Sequence, residues 1–181
     1  MPSIQQVMHN NSWLKTVINI VLFQLCWLAC VVGGNQWALA ALLLLVVVHA
    51  GWIVEQNQLL DEMRLVLPLI SLGILFDTVL MQIEWIVFPQ PSGVTIPFWL
   101  MALWLAFAST VRHSMVGLLK RPMVAVLFGA LGAPWSYYLG HQLGAVSVTM
   151  NALIAISLFW SLLLLAVCVQ LQKTEAADGS I

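Results

Sequence analysis

Few residues of this 181-residue chain can do chemistry, because 62% of it is apolar and only 7% is charged. Asp77 is the most consequential of them. It stands about 12 residues into an apolar stretch that begins at Leu65, where a carboxylate at the bilayer centre costs about 2.5–3.5 kcal/mol on insertion scales. Glu84 follows two helical turns later, so Gly73, Asp77, Met81 and Glu84 share one stripe. Two acids on one face are expected to be a proton- or substrate-binding pair, or an interhelical hydrogen bond with Glu84 reaching the outer headgroups. Counted inward at about 1.5 Å per residue, Gln24 reaches the depth of Asp77 and Asn19 that of His49. Gln24 is therefore the expected partner of Asp77. Asn19 and Gln24 are separated by about 140° around a helix, so they are expected to serve different neighbours as interhelical polar contacts. Tyr137, with Tyr138 beside it, is placed to reach Glu84 or to serve in an aromatic belt.

Histidines and cysteines supply the remaining ligand chemistry. His49 is expected inside the membrane near its inner face, His113 in a cytoplasmic loop and His141 outside. That separation rejects a three-histidine metal site, and neither a metal nor a cofactor is expected. Cys26 and Cys30 stand one turn apart and Cys168 lies far along the chain, all in apolar stretches, where thiols act as small buried hydrophobes. His113 with Arg112, Lys120 and Arg121 makes a basic collar that suits anionic lipid headgroups or simple positive-inside anchoring.

Positioning these residues falls to membrane helices, since a soluble domain carries about 25% charged residues and this chain has a mean hydropathy of +0.99. The net charge of −1 and the lack of a Lys/Arg run exclude nucleic-acid binding. Apolar stretches run from Leu14 to Val32, Gln36 to Ile53, Leu65 to Val87, Pro97 to Val111, Met123 to Leu139 and Val146 to Leu171. The expectation is an all-α polytopic bundle of six transmembrane helices, one domain over residues 1–171, followed by a polar, disordered tail over 172–181. Glycines, prolines and polar clusters mark the breaks at Gly33-Gly34-Asn35, Glu55-Gln56-Asn57-Gln58, Pro89-Gln90-Pro91-Ser92-Gly93, Lys120-Arg121-Pro122 and Gly140-His141-Gln142. With six spans, Lys15, Arg64, Arg112, Lys120, Arg121 and Lys173 all fall on one side, which places both termini in the cytoplasm. The first span is too long for a typical signal-peptide core and is expected to be retained. Ala102, Ala106 and Thr110, and likewise Gly129 and Ala133, recur every four residues as small ridges for close helix packing.

Several blocks together carry a family resemblance: Asn19 with Phe23-Gln24 and Trp27, Gly73 with Asp77, Pro97-Phe98-Trp99-Leu100 running into Leu103-Trp104, and Phe107-Ala108. His113-Ser114, Gly129 with Gly132, Pro134 with Tyr137, and Leu143-Gly144-Ala145-Val146 complete the set. With these residues the chain resembles the DUF2878 family of bacterial membrane proteins along nearly its whole length. The resemblance implies the membrane fold and an inner-membrane location, and no particular activity.

Enzyme signatures do not emerge. An intramembrane aspartyl protease needs a second aspartate in another span, and Pro91-Ser92-Gly93 is followed by Val94 where a lipid phosphatase would carry histidine. Neither a nucleophile elbow nor a phosphate loop is present. The leading expectation is a non-enzymatic inner-membrane protein that binds a lipid or hydrophobic small molecule, or assists a membrane-lipid enzyme. A small proton-coupled transporter using Asp77 comes second, and an intramembrane enzyme with Asp77 and Glu84 as acid and base third.

Overall fold

In the computed structural model, residues 4–53, 59–89 and 93–177 are described. About 81% of the chain is helical. The elements are α1 (Ile4–Val48), a π-helical turn (His49–Ile53), α2 (Leu59–Gln82), β1 (Ile86–Val87), α3 (Phe98–Ala108), α4 (Val116–Leu119), α5 (Pro122–Gln142), β2 (Ser147–Val148) and α6 (Met150–Ala177). Four helical stretches are long and apolar enough to cross a membrane: Trp13–Gly51, Glu62–Gln82, Pro122–Gln142 and Met150–Lys173. Their outward faces remain apolar, with Ile154, Leu158 and Leu162 on α6 and Leu67, Leu72 and Leu75 on α2 all exposed. Such faces suit lipid rather than water.

The first two expected spans form one helix with a break. At Gly34 the backbone takes φ 56° and ψ −147°, a conformation essentially confined to glycine. The stretch Trp13–Gly51 has 39 residues, roughly 58 Å of helix against a core of about 30 Å, so one straight crossing is excluded. Asn19 bonds Ser109 and Ser114, while Asn35 bonds Trp99 at the opposite end of α3. His49 then returns to the Ser109 end by its contact with His113. The two arms of α1 therefore run antiparallel, and Asn19 and His49 share one level, as their depths in the sequence suggest.

The expected fourth span is shorter than its apolar stretch. Helix α3 has 11 residues, about 16 Å of rise and half of a typical hydrocarbon core. Bonds from Thr110 N–H to the Phe107 carbonyl, Val111 to Ala108 and His113 to Thr110 tighten the chain beyond it into successive turns.

The chain divides into two compact units, Met1–Thr78 with Ser92–Ser114, and Val79–Pro91 with Met115–Ile181. In the first, the kinked α1 packs on α3, and α2 presents a buried stripe of Glu62, Val66, Leu69, Gly73 and Asp77. In the second, α5 and α6 lie antiparallel, because Ser157 Oγ donates to the Ala130 carbonyl at 2.8 Å and Ser161 Oγ to that of Val126 at 3.4 Å. Gly129 makes this approach possible: a Cβ there would stand 2.6 Å from the Trp160 carbonyl oxygen. Strands β1 and β2 pair antiparallel, Ile86 with Val148 and Val87 with Ser147. Helix α6 runs on to Ala177, so residues 172–177 of the expected disordered tail are helical, while 178–181 lie outside the described residues. Positions 55–58 and 90–92, expected in breaks, also lie outside them.

Glu84 departs from the expected stripe. Helix α2 stops at Gln82, and Glu84 has φ 58°. Glu84 N–H donates to the Met81 carbonyl at 3.0 Å and Trp85 N–H to that of Leu80 at 2.9 Å. This is the paired bonding of a Schellman helix end, with Glu84 in the left-handed position that glycine usually fills. A left-handed L-residue costs about 1–2 kcal/mol. Glu84→Gly is accordingly expected to raise the thermal midpoint of the protein in detergent and Glu84→Val to lower it, as followed by fluorescence unfolding.

Candidate functional site

Two polar centres are built into the first unit, both on the buried face of α2. The deeper one joins Asp77 to Trp104. The Trp104 indole lies over Gly73, where a Cβ would come within 2.1 Å of the ring. One turn further along α2, Asp77 is fully buried and its Oδ2 accepts a 2.6 Å hydrogen bond from Trp104 Nε1. Phe107 meets the same indole edge to face, with ring centroids 6.1 Å apart. Gly73 and Asp77 thus form a cradle and a polar stop that fix the rotation and height of α3 against α2. The Gln24 pairing does not form. Gln24 is exposed on α1, because the face of that helix turned inward carries Asn19, Leu22, Cys26 and Cys30, and Gln24 lies between those positions.

The second centre lies near the start of α2. Glu62 is 5% exposed, and its Oε1 is 3.2 Å from Nε2 of both His49 and His113. Its other oxygen, Oε2, faces Arg112 Nε at 3.9 Å, an ion pair at the edge of contact distance. The two imidazoles meet edge to face, with centroids 4.9 Å apart and planes at 87°. Three elements deliver these groups: the π-helical turn brings His49, the first turns of α2 bring Glu62, and the chain just past α3 brings Arg112 and His113. Beside them, Asn19 Nδ2 donates to the Ser109 carbonyl at 3.2 Å and Asn19 Oδ1 accepts from Ser114 Oγ at 2.7 Å, so this buried amide is satisfied at both ends.

The sequence separates His49 and His113 by depth, but the structure brings them together. The separation fails because Glu62, in the residues preceding the assigned third span, reaches both rings. Counting back from Asp77 by helical steps through Gly73, Leu69 and Val66 arrives at Glu62, and that repeat of four and three residues is the signal which identifies it as inward-facing. His141 is exposed on α5 and its Nδ1 lies 3.2 Å from the Val146 carbonyl. Of the expected basic collar, Arg112 and His113 are engaged with Glu62, whereas Lys120 and Arg121 are exposed at the start of α5. Tyr137 is half-buried in α5. Cys26, Cys30 and Cys168 are buried free thiols, in keeping with packing.

These features define a helical protein with membrane-type surfaces and polar residues drawn inward. The chain belongs to the DUF2878 family, described as a protein of unknown function, with the match running over residues 16–166. No curated protein and no solved structure matches it.

Removing the indole donor should expose what the Asp77 bond contributes. Trp104→Phe leaves the carboxyl without that partner, at a cost of about 1–3 kcal/mol for a stranded buried acceptor, and Asp77→Leu should cost a comparable amount. The Trp104→Phe, Asp77→Leu double variant should lose less than the sum of the two. Unfolding measurements in a single detergent check the cycle, and strict additivity would deny the coupling.

Proposed function

We propose that the protein is a six-span, non-enzymatic component of the bacterial inner membrane, with both termini cytoplasmic, that holds anionic lipid at its cationic end. The observation that carries this reading is the segregation of charge. In the first unit Lys15 and Arg64 belong to the same end as Arg112, the end marked by Asn19, His49 and Glu62. In the second, the antiparallel α5 and α6 put Lys120 and Arg121 at the start of one helix beside Lys173 near the end of the other. Gathered cations anchor cytoplasmic ends and each attracts an anionic leaflet by about 1 kcal/mol. Because Arg112 and His113 are committed to Glu62, exposed Lys120 and Arg121 are the residues assigned to lipid headgroups. Assistance to a membrane-lipid enzyme would use the same end.

A proton-coupled transporter would need Asp77 to exchange protons with water during its cycle. Full burial and the short bond from Trp104 support an anchoring role instead.

Native mass spectrometry of the purified protein tests the lipid reading. Lys120→Gln with Arg121→Gln should strip co-purifying anionic lipid, while Asp77→Asn should fold and retain it. Retention in the first variant, with loss of cellular function in a well-folded Asp77→Asn, would favour the transporter. Topology is tested separately by labelling single introduced cysteines in a background lacking the native three. Positions 35 and 141 should react from outside and position 120 should be protected; outside labelling at position 120 would overturn the six-span arrangement.

A further inference from the structure

The centre at the start of α2 carries more than an ion pair. His49, Glu62 and His113 each offer a ligand atom, and these atoms all lie within 4.8 Å of one another. Two sides of that triangle, from Glu62 Oε1 to either Nε2, are 3.2 Å. Ligands of a tetrahedral zinc ion at bonds of about 2.0–2.1 Å are spaced about 3.4 Å apart. Two sides already match, and the third closes by a small movement of either ring. We propose that His49, Glu62 and His113 form a zinc site, a two-histidine, one-glutamate set with a fourth position open to water.

Three observations support the assignment independently of the lipid reading. The donor chemistry is of the right kind: two imidazole nitrogens and one carboxylate oxygen suit a borderline ion such as zinc, and this trio with an open position recurs in zinc proteins that activate water or polarise a carbonyl. The carboxylate is divided between two tasks. Its Oε1 faces both imidazoles, while Oε2 faces Arg112, the kind of outer contact that orients a metal-ligating carboxylate. Access is graded as well. The side chains of Glu62 and His49 are 7% and 11% exposed, against 18% for His113 and 31% for Arg112, so an ion and its water reach the trio past His113. The π-helical turn that delivers His49 is a conformation frequent at functional positions.

Zinc would tie together the returning arm of α1, the start of α2 and the turn after α3, and so stabilise the folded chain by mass action. The full-length protein in detergent, stripped with a chelator, is titrated with zinc alone against a chromophoric competitor. One equivalent per chain and a raised thermal midpoint are expected. His113→Gln, at the most exposed ligand, keeps a hydrogen-bonding side chain and should weaken binding by more than the roughly 10- to 100-fold typical of losing an outer partner. The His49→Ala, His113→Ala pair should abolish it, and His9→Ala with His141→Ala should leave it intact. X-ray absorption at the zinc edge of the unmutated protein gives a readout that needs no variant: nitrogen and oxygen neighbours with imidazole scattering are expected. Sulfur ligation, substoichiometric binding, or full affinity in a folded His49→Ala, His113→Ala protein would each overturn the site.

Discussion

Helix α3 must have its peptide ends satisfied where water is scarce, and much of the first unit is arranged around that need. Its 11 residues are too few to carry both ends to the two interfaces, and Trp99, Leu100, Ala102, Trp104, Ala106, Phe107 and Ala108 are buried. Orphan N–H and C=O groups in such a place cost several kcal/mol each. Pro97 precedes the helix and brings no side-chain cap. Asn35, just past the break at Gly34, accepts from Trp99 N–H at 3.0 Å, and Asn19 donates to the Ser109 carbonyl at the other end. Two asparagines of α1, one at either end of its first arm, thus do for α3 what local caps do in water.

Once α3 is held, the polar centres follow from its sequence. Trp104 lies in its middle and meets the Gly73 cradle with Asp77 one turn beyond. Arg112 and His113 lie just past its end and meet Glu62. The two acids of α2 are 15 residues apart, about 22 Å along a helix, so one short helix and the turns after it are read by α2 at two well-separated points. The return of α1 at Gly34 completes the second point by bringing His49 back to the level of Asn19. A residue that breaks a helix and residues that would be costly in lipid therefore serve the same end.

Much of this is legible in the sequence. Hydropathy locates every long helix, the glycine pair marks the reversal of α1, and the intramembrane cost of Asp77 identifies it as inward-facing. The four-residue spacing of Gly129 and Ala133 announces a close helix contact, which α5 makes with α6 through Gly129. Lateral pairing is what the sequence withholds. Depth alone offers Gln24 to Asp77, whereas rotation about α1 turns Gln24 outward and tertiary packing supplies Trp104, an apolar-looking residue whose single N–H becomes decisive when buried. Glu84 follows the helical period in sequence, yet the helix ends two residues earlier through backbone bonds that no side-chain pattern announces. The histidines fall in separate places when span boundaries follow hydropathy, because Glu62 then lies just outside one of them.

The energetics explain why acids are kept at these positions. A carboxylate near the bilayer centre costs about 2.5–3.5 kcal/mol to insert, and an interhelical hydrogen bond returns on average about 0.6 kcal/mol, with a maximum near 1.7. The Asp77–Trp104 bond therefore does not offset its own insertion cost; the surrounding leucines and isoleucines, at about −0.3 to −0.6 kcal/mol each, do so. Its contribution is discrimination. In lipid, sliding α3 by a turn against α2 exchanges one apolar contact for another at little cost, because the tails are as apolar as leucine. A slip would strand the Asp77 carboxyl, the Trp104 N–H and the Glu62 group together, each a desolvated polar group without its partner. The penalty falls on the wrong registers and not on the right one, so polar residues that add little to the depth of the native state do most to make it unique.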